Sequence, residues 1–278
     1  MTARRSGLRR LGWLLPAVVV LVLVTVVPLG RVVWTSLHRS SPTTGSELVG
    51  LDNYTHLVAS REWWLAVATS LVLVAGVVLV QLALGLVFGA ALHRVGVVWP
   101  VARVVVLVPL VLLSVVSVVT WRDAVNGGFL TSWFDLGEAG PFAQLVAVTV
   151  GETWRGTGMV TAVVALSLAQ VTASLSASAV ADGATGLQRW RRVVLPSIGP
   201  AVAGVAAFRV LDTYRVLDGP LLTDDPSARL QTAPLLTWTT QFTALELGLG
   251  AAMSVLVVIG AAVLAAIVVP LFRVRRLL

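Results

Sequence analysis

The feature that most constrains this chain is a recurrence of apolar runs as long as a bilayer is thick. Six can be marked: Leu11–Leu37, Trp63–Leu92, Val98–Trp121, Phe142–Val171, Pro200–Leu217 and Leu245–Phe272. A helix needs roughly 20 predominantly apolar residues to cross the hydrocarbon core. In lipid the backbone must satisfy its own hydrogen bonds, which a helix does within one segment. The runs therefore predict an all-α fold, a polytopic membrane protein with about six transmembrane helices. Only 12% of the 278 residues are charged and the mean hydropathy is +0.92, whereas a soluble domain carries about a quarter charged residues. A soluble enzyme is excluded on this ground. The first run is too long for a secretory apolar core and lacks a small-residue cleavage site, so it reads as a retained span.

Charge placement orients the spans. Twelve arginines (Arg4, Arg5, Arg9, Arg10, Arg94, Arg103, Arg189, Arg191, Arg192, Arg273, Arg275, Arg276) fall on one side with a single acid, Asp182. The other side receives five, Arg31, Arg39, Arg61, Arg122 and Arg229, and eight acids, among them Glu47, Asp52, Asp224 and Asp225. Basic residues near span ends mark the cytoplasmic face. Both termini and the segment 172–199 are therefore expected in the cytoplasm of a multi-pass plasma-membrane protein. The same bias explains the sequence pI near 11.4 without nucleic-acid binding. The expected organisation is a basic tail, 1–10, and one transmembrane domain, 11–278.

Several chemistries are absent. There is no Cys, and all 20 basic residues are Arg. Disulfides, thiolate metal sites and Cys nucleophiles are thus excluded. So is a phosphate-binding loop of the Walker A type, which requires Lys. His38, His56 and His93 lack metal-ligand spacing, and no Ser-His-Asp arrangement occurs. No catalytic or metal-binding residue is expected.

One polar stretch interrupts the pattern between the fourth and fifth runs: Ser176 to Pro200, SASAVADGATGLQRWRRVVLPSIGP. Small side chains fill its first part, which lets another surface approach closely. Asp182-Gly183 predicts a helix break, because Gly tolerates the left-handed conformation that ends helices. Thr185 with Gln188 forms a capping-box pattern opening the next helix. That helix carries Trp190, Arg189, Arg191 and Arg192, and Pro196 is expected to stop it. A capped helix-turn-helix on the cytoplasmic face reads as a docking element or as a basic helix lying on anionic lipid.

Ionisable residues also lie inside the spans. The fifth run holds Arg209, Asp212, Arg215 and Asp218 at intervals of three, so neighbours share a helix face and opposite signs alternate. The fourth holds Glu152 and Arg155, with Trp154 between them. Charges at bilayer depth cost roughly 2.5–3.5 kcal/mol each on insertion scales, so they mark a water-lined cavity or a protein interface. The arrangement reads as a hydrophilic pathway for a polyhydroxylated solute, or as an ion-pair ladder against a partner subunit. Gly85 and Gly89 form a small-xxx-small pattern for close helix packing.

The interrupting stretch resembles the EAA loop of binding-protein-dependent ABC importer permeases. It keeps Ala179, Asp182-Gly183-Ala184, Arg191-Arg192, Val194 and Leu195-Pro196 of the sugar-importer pattern. Ala177 stands where the family has Glu, and Ser178 where it has Ala. The likeness extends to Gly50-Leu51-Asp52-Asn53-Tyr54, to Arg103 through Pro109, to Phe208 through Asp212, and to Gly248 through Ser254. The family's TGGGP stretch is replaced by Thr223-Asp224-Asp225-Pro226. Within the family the chain resembles MalF-type permeases of actinobacterial trehalose and maltose importers. The resemblance implies a translocation subunit for a di- or oligosaccharide. It implies a heterodimer with a second permease, two ATPase subunits that carry the ATP and Mg2+, and an extracytoplasmic solute-binding lipoprotein. It also implies ATPase docking through Ala177, Ser178, Ala179, Asp182, Gly183, Ala184, Leu195 and Pro196. No cofactor is implied on this chain. Two readings of other classes stand beside it: an ATP-independent secondary transporter, which would need an internal repeat, and a membrane enzyme acting on lipid-linked sugars, which would need an acid pair or metal cluster.

Overall fold

The computed structural model describes residues 16, 19–42, 45–94, 141–171, 173–217 and 230–271, with isolated positions between 101 and 123. These residues fall into two compact units, one drawn from 1–63 and 236–257, the other from 64–235 and 258–278. Four described helices are long and apolar enough to cross a membrane: Val19–Ser36 (α1), Arg61–Arg94 (α3), Gly186–Tyr214 (α6), and Leu247–Val268 within the longer helix Leu247–Leu271 (α7). The third expected span, 98–121, lies mostly outside the described residues, as does the basic tail.

In the first unit, α1 gives way at Leu37 to an antiparallel hairpin that no apolar periodicity announced: β1 (His38–Ser41) pairs with β2 (Gly45–Leu48), Arg39 opposite Glu47. Gly50, at φ +60°, turns the chain into α2 (Asp52–Ala59). The Gly-Leu-Asp-Asn-Tyr sequence has a structural task here. Buried Asn53 donates through Nδ2 to the carbonyls of Ser36 (2.8 Å) and His38 (3.0 Å), and the Tyr54 hydroxyl lies 2.6 Å from Ser36 Oγ. Together they fasten α2 to the end of α1. Gly248 packs directly on the His38 carbonyl, where a Cβ would collide. That explains why Gly opens the GLGAAMS stretch.

The second unit is built on α3, α4 (Pro141–Ala169) and α6. Val160, Val164 and Leu168 of α4 form a core with Ile198, Val202 and Val205 of α6, and Leu82, Leu86 and Ala90 of α3 pack against it. Gly85 and Gly89 let α3 approach closely, since a Cβ on Gly89 would stand 2.6 Å from Val164 Cγ1 and one on Gly85 2.7 Å from Val160 Cβ. The small-xxx-small pattern is thus a helix-crossing point. α4 has 29 residues, but its polar middle, Gly151 to Gly158 (GETWRGTG), sets it apart from the four apolar spans. Glu152 and Thr157 in that stretch are buried by protein, which is how a polar helix is tolerated at membrane depth.

Pro196 does not end the helix that begins at Gly186. The helix runs through it to Tyr214. A single π turn, Trp190–Val194, shifts the hydrogen-bond ladder so that Leu195 N–H bonds the Trp190 carbonyl, five residues back. Pro196 then occupies the first turn of the resumed α-helix, where its missing N–H costs little. The fifth span and the basic helix before it are therefore one rod, about 43 Å long at 1.5 Å per residue.

Candidate functional site

Two features stand at the ends of this rod. At its start, α5 (Ala173–Ala181) closes on Asp182 and Gly183. Gly183 has φ +78°. Its N–H bonds the Val180 carbonyl at 3.0 Å, and the Ala184 N–H bonds the Ala179 carbonyl at 3.0 Å. These are the paired closing bonds of a Schellman motif. Thr185 then opens α6 with a complete capping box: its Oγ1 accepts from Gln188 N–H (3.4 Å) and its own N–H donates to Gln188 Oε1 (2.9 Å). Both breaks expected between the helices are present. Ala177, Ser178, Asp182 and Gly183 are exposed, Ala179 and Ala184 half-buried. Val180 and Leu187, on either side of the turn, are exposed apolar side chains. Leu195 and Pro196 lie inside the rod, Leu195 against the Val160–Leu168 core.

Toward the other end, four charges from α4 and α6 close into a ring. The Arg155 guanidinium bonds both Glu152 oxygens (Nη2 at 2.7 Å, Nε at 3.3 Å) and reaches Asp212 Oδ2 at 3.1 Å. Arg209 Nη1 donates to the same Asp212 oxygen, and its Nη2 lies 3.5 Å from Glu152 Oε2. Each acid thus faces both arginines, and the ring is neutral. It has a sealed side and an open side: the Arg209 and Glu152 side chains are fully buried, whereas Arg155 is 13% and Asp212 25% exposed.

Sequence spacing placed Arg209 beside Asp212 and Glu152 beside Arg155. It did not bring the two pairs together. Arg215 stays out of the ring: it follows the last residue of α6, is exposed, and its Nε donates to the Leu211 carbonyl. Asp218 lies outside the described residues. Trp154 is 37% exposed and meets Trp121 edge-on at 6.3 Å.

Two residues of the site escaped sequence reasoning. Gln81 of α3 is fully buried, accepts from Arg209 Nε (2.9 Å) and donates to the Glu152 carbonyl (2.7 Å). The signal was available, since Gln81 is the one amide in an apolar run of α3. Gly156 lies under the Arg209 guanidinium and the Gln81 amide, both of which would clash with a Cβ. A separate cleft of about 690 Å³ lies in the first unit among Arg39, Asp52, His56 and Glu246. Its exposed Arg39–Asp52 pair at 2.8 Å marks a solvated surface.

No family model matches the chain. It is 32% identical over 281 residues to the trehalose transport system permease protein SugA of Mycobacterium tuberculosis, an alignment covering 98% of this chain and 91% of that protein. The chain belongs to the ABC sugar-importer permeases. A second relative of this permease is the trehalose/maltose transport system permease protein MalF of Thermococcus litoralis, 27% identical with 75% of each chain covered. The permease also shares its fold with a crystal structure of a bacterial ABC transporter that imports the acidic polysaccharide alginate, at TM-score 0.78, 17% identity and 98% and 97% coverage. The polytopic helical membrane fold and the role of translocation subunit follow. A permease of this kind is not itself an enzyme, and ATP hydrolysis belongs to the ATPase subunits of such importers. The secondary-transporter and membrane-enzyme readings are set aside by this kinship.

Proposed function

We propose that this permease carries a neutral di- or oligosaccharide of the trehalose or maltose type, and that the charge ring between α4 and α6 lines its path. The observation that carries this reading is the neutral ring itself, with Asp212 and Arg155 open on one side. A carboxylate and a guanidinium held side by side offer an acceptor and donors to sugar hydroxyls, with no net charge to attract ions. The named solutes of the two permease relatives, trehalose and maltose, support the choice of sugar.

The partners are a second permease subunit, two ATPase subunits that hold ATP and Mg2+, and an extracytoplasmic solute-binding lipoprotein. The ATPase grips the turn at Asp182-Gly183, with Ala177, Ser178, Ala179, Ala184, Leu195 and Pro196 forming or supporting the docking segment. Both termini and 172–199 face the cytoplasm, and 11–278 acts as one transmembrane domain. When the ATPase dimer closes, the turn moves with it and the rod carries the displacement to the ring, opening the path on one face and then the other.

The test is sugar uptake by the assembled importer bearing Asp212→Asn. Expected is a several-fold loss of trehalose or maltose uptake with normal subunit assembly by affinity co-purification. Uptake at the wild-type rate would remove the ring from the pathway.

A further inference from the structure

Gln81 is the one polar side chain of α3 that enters the ring. We propose that it is a positioning residue for transport: with Arg209 and Glu152 it forms a sealed anchor, and only the Arg155–Asp212 edge is left to meet solute. This rests on the pathway reading for what the open edge does, but the anchor itself stands on geometry.

Both ends of the Gln81 amide are committed. Its oxygen accepts from Arg209 Nε at 2.9 Å, and its nitrogen donates to the backbone carbonyl of Glu152 at 2.7 Å. Donor and acceptor are each assigned by their partners, because a guanidinium only donates and a carbonyl only accepts. A side chain on α3 thereby joins α4 and α6 at one point. The joint is enclosed by protein: Gln81, Glu152 and Arg209 are all fully buried. It also fits tightly, since Gly156 leaves no room for a methyl group beneath the two side chains. Arg209 Nη2 has no hydrogen-bond partner among the described residues. The head group is therefore held through Nε and Nη1, by Gln81 on one side and Asp212 on the other. Without Gln81, Arg209 keeps its charge partners but loses the contact that sets its angle, and the Asp212 carboxylate it presents turns with it.

The experiment compares Gln81→Met and Gln81→Glu in the complete importer, reconstituted with its partner subunits and binding protein. Sugar transport is normalised to assembled complex. Met matches the length and burial of Gln but neither donates nor accepts strongly, whereas Glu restores the acceptor for Arg209 Nε. A misplacement of about 1 Å in a positioned group can cost up to a hundred-fold in rate, so Gln81→Met is expected to lower turnover per complex about ten-fold, at near-normal yield of complex. Gln81→Glu is expected to recover part of that loss. A merely structural Gln81 would lower the yield and leave turnover per complex unchanged, and that result would overturn the proposal. So would a Gln81→Glu variant no better than Gln81→Met. If Gln81→Met loses turnover while Asp212→Asn keeps it, the anchor stands and the solute-contact reading of the ring falls.

Discussion

At the scale of single residues, the ring is where substitution is most costly. Arg209 is fully buried between two acids, so Arg209→Met leaves Glu152 and Asp212 sharing only Arg155. Breaking one member of a buried pair costs about 3–5 kcal/mol. A clear fall in the melting temperature of the detergent-solubilised complex is expected, and an unchanged melt would show the ring to be slack. Gly156→Ala should destabilise by about 1–3 kcal/mol, because it overpacks a full site. Gly204→Ala on the exposed side of α6, where a Cβ meets nothing within 4 Å, is the matched control. The acidic and basic partners of the ring were legible at this scale from three-residue spacing. Gln81 and Gly156 were not. Gln81 stands out as the one amide of its run and Gly85 with Gly89 mark a close crossing, but which groups Gln81 and Gly156 meet depends on helices far apart in the chain, and spacing within one helix does not give that.

At the scale of elements, the geometry of the turn at Asp182-Gly183 is legible in the sequence because its signals are local. Gly183 supplies the left-handed residue, and Thr185 with Gln188 supplies the cap. Replacing the cap by Thr185→Ala should cost about 1 kcal/mol of helix stability. Faster amide exchange over 184–189, with α3 and α4 unaffected, is the expected signature, and uniform exchange would deny the cap its role. The end of the basic helix was misread, because a proline stops a helix only when it sits past the first turn. The π turn at Trp190–Val194 resets that count, and π turns leave no mark in composition. The hairpin was also invisible. His38–Ser41 and Gly45–Leu48 are short and polar, and they pair because Asn53 and Tyr54 hold the chain end beside them.

At the scale of the molecule, the apolar runs determined the class of fold and the arginines its expected orientation. Both follow from bulk physics: hydrocarbon thickness and the side on which positive charge is retained. One continuous helix, α6, links the two sites, with the turn at Asp182-Gly183 before it and the ring near its far end. Cutting that connection by deleting 176–192 should abolish ATPase association while leaving the spans inserted. Recovery of a stable full complex by co-purification would contradict it. The orientation of the turn is the claim on which the rest depends, and the absence of native cysteine makes it directly measurable. A single cysteine placed at the exposed Ala181 should react with a membrane-impermeant maleimide only in inverted vesicles, and should be protected there when the ATPase subunits are present. Labelling of that cysteine from outside intact cells would contradict the account.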